Sequence, residues 1–396
     1  MKKQSFLLIL LLISILLVYC DQNKGTEIGS ENIVSEEGLS ISEWDKNGQF
    51  ELKITQTGRY RVSIETENSQ LDTFWIEDYI DNVDGRIYNV TGNIIVSDSE
   101  ISIIDGSPLA EGKHQMRLHG NSLENVKFVN FELIQLHRET QEILTQRMEG
   151  ENWKLTWSDE FNGSGLVNPT NWNYNIGNWG WGNNELQYYT SKNTLNARQV
   201  EGNLIIEAHP IEGSDKWTSA RLTTQSKVSF LYGKIEFRAK VPNGLGTWAA
   251  GWLLGDPYKD ELSWPYCGEI DVLECVGYEI DEAGNGMNHA TCHTPAFYFK
   301  KGNQISSEIA LDSMKTKFHI YAVEWYKDRI EAYIDGEHYY TYDKTANDLE
   351  WPFNQPQNII INLAIGGGWG GLKGVDQTMG AQQYVIDYIR VYEKSS

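Results

Sequence analysis

Apolar and polar residues alternate along most of this chain. "RYRVSIETE" (59–67), "NIIVSD" (93–98), "HQMRLHG" (114–120) and "VKFVNFELIQL" (126–136) are stretches of this kind, separated by Gly, Asn, Asp and Ser. Alternation with a period of two marks half-buried strands, and those separators are turn formers. Long amphipathic helical patterns are nearly absent, and no repeat of solenoid length recurs. The pattern predicts a small β-sandwich over residues 31–138. Residues 139–150 lie in the polar stretch "HRETQEILTQRMEG" and read as a linker with room for a helical turn.

A second series follows. "GNLIIEAH" (202–209), "YGKIEFRAKV" (232–241), "HIYAVEWY" (319–326), "IEAYIDG" (330–336), "NIIINLAIGG" (358–367) and "YVIDYIRVY" (384–392) are strand-like, and "YKDR" (326–329) joins two of them as a hairpin would. Many strands of similar length predict two packed antiparallel sheets. The expected fold class is therefore all-β, a jelly-roll sandwich over residues 151–396 preceded by the smaller sandwich. Tryptophan usage separates the halves: 12 of the 14 lie from Trp153 onward, and only Trp44 and Trp75 precede.

The chain begins Met1-Lys2-Lys3, continues through an apolar run from Phe6 to Val18 and reaches Cys20. A charged start and a short apolar run make residues 1–20 a secretory signal, since the run is short for a stable span. An uncleaved anchor helix is the alternative. "LVYC" (17–20) resembles a bacterial lipobox, with Tyr19 where that pattern has a small residue. The resemblance implies lipidation at Cys20, with the polar residues 21–30 as a flexible tether. The expected location is the cell envelope or outer surface as a lipoprotein, or else secretion, with membrane contact through the lipid alone.

With 55 acidic against 33 basic residues the formal net charge is -22, which repels phosphate backbones and excludes nucleic acid as a partner. Four cysteines are too few for a disulfide framework. Cys275 and Cys292 either pair across neighbouring strands or remain buried thiols with Cys267.

One stretch departs from the alternation. "CGEIDVLECVG" (267–277) places Glu269, Asp271 and Glu274 among Ile270, Val272 and Leu273. In a regular strand Glu269 and Asp271 share a face and Glu274 points to the other. One extra residue bulged near Val272 or Leu273 shifts the parity and brings all three acids to one surface. A concave strand then allows a carboxyl separation of about 5 Å, the retaining glycosidase geometry, where an inverting pair stands roughly 6.5–9.5 Å apart. The competing reading is a calcium site or a solvated strand face, but the alternating Asp and Asn around a Gly of a calcium loop is missing.

"GEIDVLE" resembles the active-site signature of glycoside hydrolase family 16, in the bulged form Glu-x-Asp-x-x-Glu shared by bacterial laminarinases. The resemblance runs from Trp153 to Lys394 through "WSDEFNG" (157–163), "WGWGNNELQYYT" (179–190), "TSARLTT" (218–224), "YGKIEFRAKVPNGLGTWAAGWLL" (232–254), "FHIYAVEW" (318–325), "NLAIGGGWGG" (362–371) and "IDYIRVY" (386–392). It implies Glu269 as nucleophile, Glu274 as general acid and base, and Asp271 as support for the nucleophile. It also implies a sugar cleft lined by Asn184, Arg221, Trp248, Trp252, Trp264, His293 and Trp369. Catalysis then needs no cofactor, and Glu160, Gly202 and Asp387 would hold a structural calcium.

The long motifs are most similar to the laminarinase branch. They imply retaining endo-hydrolysis of β-1,3-glucan by a protein expected to be monomeric. The alternatives are a mixed-linkage β-1,3-1,4-glucanase, an agar- or carrageenan-type hydrolase, a transglycosylase, or a β-glucan-binding protein without activity. The N-terminal sandwich resembles carbohydrate-binding modules, with a spacer as the other reading.

Overall fold

The computed structural model of the protein describes residues 32–394, apart from 36–37, 68–71, 80–86, 97–100, 139–141 and 146–152. The expected signal over 1–20 with Cys20, and the tether over 21–30, lie outside the described residues.

Alternation produced the first sandwich. Gln49–Ile54, Gly112–His119 and Asp72–Tyr79 pair antiparallel at the heart of a six-stranded sheet, and Val126–Leu136, Gly58–Thr66 and Ile101–Leu109 lie side by side in a four-stranded one. Their inward positions, among them Leu52, Ile64, Ile76, Leu118 and Val129, are all but excluded from solvent and form one core. Burying each such side chain contributes roughly 1.5–3 kcal/mol.

The second sandwich packs a nine-stranded sheet on a ten-stranded one, counting the described residues. Three adjacent strands of the nine-stranded sheet carry the site: Gln357–Ile365, Thr247–Gly255 and Glu269–Val276. Their core-facing residues, including Leu253, Ile270 and Ile361, meet Phe237 and Ile389 of the other sheet. Gln357–Ile365 is buried at every position, so it is covered on both faces, consistent with its near-continuous apolar sequence. The "YKDR" hairpin forms as expected, with Tyr326 N–H donating to the Arg329 carbonyl at 2.8 Å.

One expectation is corrected. The region read as a linker contains a strand, Glu142–Thr145, which pairs parallel with Val228–Leu231 and so joins the nine-stranded sheet. Its apolar Ile143 and Leu144 were set against a polar surround that masked a short strand. Of the two readings left open for the cysteines, the second holds: Cys267, Cys275 and Cys292 are buried free thiols. Cys292 lies opposite Ile270, while Cys275 lies opposite Ala249 on the other side of the acid strand and contacts Asn288 Oδ1 at 3.2 Å.

The two sandwiches are packed together. Leu262, from the loop before the acid strand, belongs to the N-terminal core. Ala110 N–H donates to Asp260 Oδ2 at 3.2 Å, Tyr188 Oη to Asp105 Oδ2 at 2.8 Å, and Gln135 Nε2 to the Tyr174 carbonyl at 3.1 Å.

Candidate active site

The acid strand is bulged at Val272. Gly251 faces Leu273 and Trp252 faces Asp271, which leaves Val272 without a partner on Thr247–Gly255. Ile270 and Val272, then Leu273 and Cys275, all enter the core. The parity thus flips once, and Glu269, Asp271 and Glu274 line one cavity with Trp248, Trp252, Trp264 and Arg221. On its other flank the strand pairs with Gly286–His293 only from Glu269 to Asp271. Past that point the fully buried amide of Asn288 replaces the ladder, donating to the Val272 carbonyl at 3.1 Å and accepting from Glu274 N–H at 3.0 Å.

Each glutamate has its own indole donor. Trp264 Nε1 donates to Glu269 Oε2 at 3.0 Å, and Trp248 Nε1 to Glu274 Oε1 at 2.9 Å. Burial raises the pKa of Glu269 to about 7, opposed by the Trp264 hydrogen bond and the charge of Arg221. Burial raises Glu274 further, to about 8, with the charge of Glu269 adding to it. Asp271 is pushed well up by burial and by both glutamates, which favours its protonated form. His293 Nε2 stands 3.4 Å from Asp271 Oδ2 and 3.9 Å from Glu269 Oε1, and burial pulls its pKa down to about 4, so the ring is neutral at neutral pH.

Arg221 is clamped between indoles, its guanidinium 4.7 Å from the ring centres of both Trp181 and Trp252, while its Nε donates to Asn175 Oδ1 at 3.1 Å. Trp252 Nε1 donates to Asn362 Oδ1 at 2.8 Å. Aromatic faces between convergent polar groups are the chemistry of a sugar cleft.

The sequence pattern of glycosyl hydrolases family 16 matches residues 173–390, more than half of the chain and all of this cavity's catalytic strand. The chain belongs to that family. A β-glucanase of Rhodothermus marinus is 45% identical over 61% of this chain and 85% of its own. A glucan endo-1,3-β-glucosidase of Cryptopygus antarcticus is 36% identical over 57% of this chain and 84% of its own. Among solved structures, the laminarinase of Rhodothermus marinus superposes with a TM-score of 0.57 at 42% identity, covering 62% of this chain and 99% of its own. A large part of this chain therefore has no counterpart in that laminarinase.

Of the residues that the family 16 resemblance singled out, Arg221, Trp248, Trp252 and Trp264 line the cavity, and His293 packs behind it against Trp264 and the acids. Trp369 stands beside the cavity lining, edge-on to Trp248 at 5.4 Å and to His289 at 4.9 Å. Asn184 is placed apart from the catalytic cavity. It sits at φ +60°, exposed, in a neighbouring depression, and its neighbours Asn183 and Glu185 line the cavity instead. The turn through "GNNE" displaced the polar pair by one position.

Sequence reasoning also missed Glu185, Tyr258 and Glu261. Glu185 alternates with Gln187 and Tyr189, and accepts from Gln187 Nε2 at 2.6 Å; burial raises its pKa to about 7. That alternation was the available signal. Tyr258 Oη donates to Glu261 Oε1 at 2.8 Å in an irregular loop that carries no period to read.

The calcium expectation for this family 16 chain does not fit. Both carboxylate oxygens of Glu160 engage Arg390, at 2.9 and 2.8 Å, and Asp387 pairs with Arg238. Two guanidinium groups against the very carboxylates that would bind a cation make a poor cation site. Among the described residues the acids and histidine that do cluster are Glu269, Asp271 and His293, with ligand atoms within 4.8 Å of one another.

Proposed function

We propose that this glycoside hydrolase cleaves β-1,3-glucan of the laminarin type at internal linkages with retention of configuration. The observation that carries the reading is the paired acids: Glu269 and Glu274 line one cavity from one bulged strand, each with its own indole donor. The Trp264 hydrogen bond and the charge of Arg221 favour the ionised form of Glu269, and that charge in turn keeps the proton on Glu274.

Glu269 attacks the anomeric carbon as the bond to the leaving oxygen breaks, and the Glu274 proton passes to that oxygen. Water then attacks the glycosyl ester, Glu274 takes its proton, and Glu269 is released with the anomeric configuration restored. The indole of Trp264 and the charge of Arg221 favour the ionised nucleophile. Asp271, hydrogen-bonded to Glu269, keeps it oriented. Nucleophile, acid and water complete this chemistry without a cofactor.

The glucan is taken from the relatives, two of which are described as a laminarinase and a glucan endo-1,3-β-glucosidase. Export, with a lipid on Cys20, is part of the same proposal and rests on the N-terminal sequence. Reducing-sugar release from laminarin, with lichenan as the mixed-linkage control, tests the reading. Wild-type enzyme should release sugar from laminarin and Glu269→Gln should not; laminarin hydrolysis surviving that substitution overturns the mechanism, and a preference for lichenan overturns the substrate.

A further inference from the structure

The N-terminal sandwich is built into one end of the cleft. Arg59, from the Gly58–Thr66 strand, is buried, and its guanidinium lies 4.5 Å from the ring centre of Trp181. Trp181 is the same indole that Arg221 stacks on from the catalytic side. Arg59, Trp181, Arg221 and Trp252 therefore form one continuous stack that starts in one sandwich and ends beside the acids.

The other side of the cleft is tied in the same way. Tyr88, from the Ile87–Asn89 strand, donates to the Trp264 carbonyl at 3.4 Å, and Lys300 lies 4.5 Å from the Tyr88 ring centre and 5.6 Å from that of Trp264. The seam between these ties is tight. Gly92 adopts φ +66°, and a Cβ there would stand 2.9 Å from the Trp179 carbonyl oxygen.

Beside the sealed seam is a depression lined by both sandwiches. Ile87, Asn89, Asn184 and Lys300 all line it, and Glu261, Lys300, Trp179 and Gly182 line both it and the catalytic cavity, so the two are contiguous. Ile87 is 52% exposed, an apolar side chain left in water beside amides and a cation. An apolar surface ringed by donors and acceptors at the end of a glycan cleft matches the two-sided chemistry of a sugar ring.

We propose that this depression is an additional sugar subsite, contributed jointly by Ile87 and Asn89 of the N-terminal sandwich and Asn184 of the catalytic sandwich. It rests on the β-1,3-glucan reading above. The N-terminal sandwich is then not a tethered binding module that captures substrate elsewhere, but a fixed part of the cleft that holds one more sugar of the chain being cut.

The test uses the full chain and laminari-oligosaccharides of increasing length. Ile87→Asn removes the apolar contact from an exposed position, and Asn184→Gly removes the amide while suiting the left-handed backbone. Each should lower kcat/KM by about 5- to 10-fold on the longer oligosaccharides, as expected for one lost sugar contact, and leave the shortest cleaved substrates unchanged. Melting temperatures confirm that both variants are folded. Equal losses at every length, or none at any length, overturn the subsite while the glucan reading stands. Wild-type enzyme that cleaves no member of the series overturns the glucan reading and this subsite with it.

Discussion

Asn288 stands in for a missing strand partner of Val272: its Nδ2 donates to the Val272 carbonyl at 3.1 Å, and its Oδ1 accepts from the N–H of Glu274. The bulge that turns Glu274 toward the cleft frees these two backbone groups in a buried place. An unmade buried hydrogen bond costs about 1–3 kcal/mol. Asn288→Leu should therefore lower stability by about 2–6 kcal/mol in denaturant unfolding, two such groups being left unpaired. Activity in the folded fraction should fall as well, since Glu274 loses its anchor. A variant with wild-type midpoint and turnover would remove Asn288 from this role.

The pH dependence of kcat/KM follows from the glutamate pair. Below about 7 Glu269 gains a proton and ceases to be a nucleophile; above about 8 Glu274 loses the one it must donate. The profile should be a bell displaced upward from the ordinary carboxylate range, both limbs belonging to the coupled pair. Glu274→Gln should abolish the alkaline limb on an aryl glycoside whose leaving group needs no protonation. A maximum near pH 4.5, the ordinary carboxylate value, would contradict the upward shift of both groups.

The same shifts act on stability. Both folded-state pKa values lie above the ordinary 4.5, so between that value and about 8 the folded protein holds more protons than the unfolded chain. Stability therefore falls as pH rises through that window. Glu274→Gln, which never ionises, should be more stable than wild type at alkaline pH by at least about 1 kcal/mol. That difference corresponds to roughly 2–4 °C in melting temperature, and should vanish at about pH 4. Thermal melts at the two pH values check it.

Chelation gives a fourth test. With Glu160 held by Arg390 and Asp387 by Arg238, EDTA should leave the melting temperature unchanged, whereas Glu160→Gln should lower it by loosening the Arg390 pair. A chelator-induced drop that added calcium reverses would restore the calcium set.

Much of the site was legible because it is built on periodicity. Glu269 and Asp271 share a face by the period of two, and the mismatch of Glu274 pointed to a bulge that the structure places at Val272. The residues that escaped lie where no period exists. Asn183 and Asn184 occupy a tight turn in which one position decides between the cavity and its neighbour, and Leu262 reads as an ordinary loop residue although it completes the core of another sandwich. The anchoring amide of Asn288 was invisible for a related reason: its partners are backbone atoms, which carry no sequence signature.

The strand Glu142–Thr145 has a practical corollary for anyone dividing this gene product. A fragment beginning at Trp153 would leave Val228–Leu231 with an open hydrogen-bonding margin where a parallel neighbour now runs, and would put Leu262 into water. Unpaired β margins beside bared apolar side chains recruit other chains. Such a fragment should precipitate or self-associate more readily than the chain that keeps both sandwiches, so the two are better treated as one folding unit than as interchangeable modules.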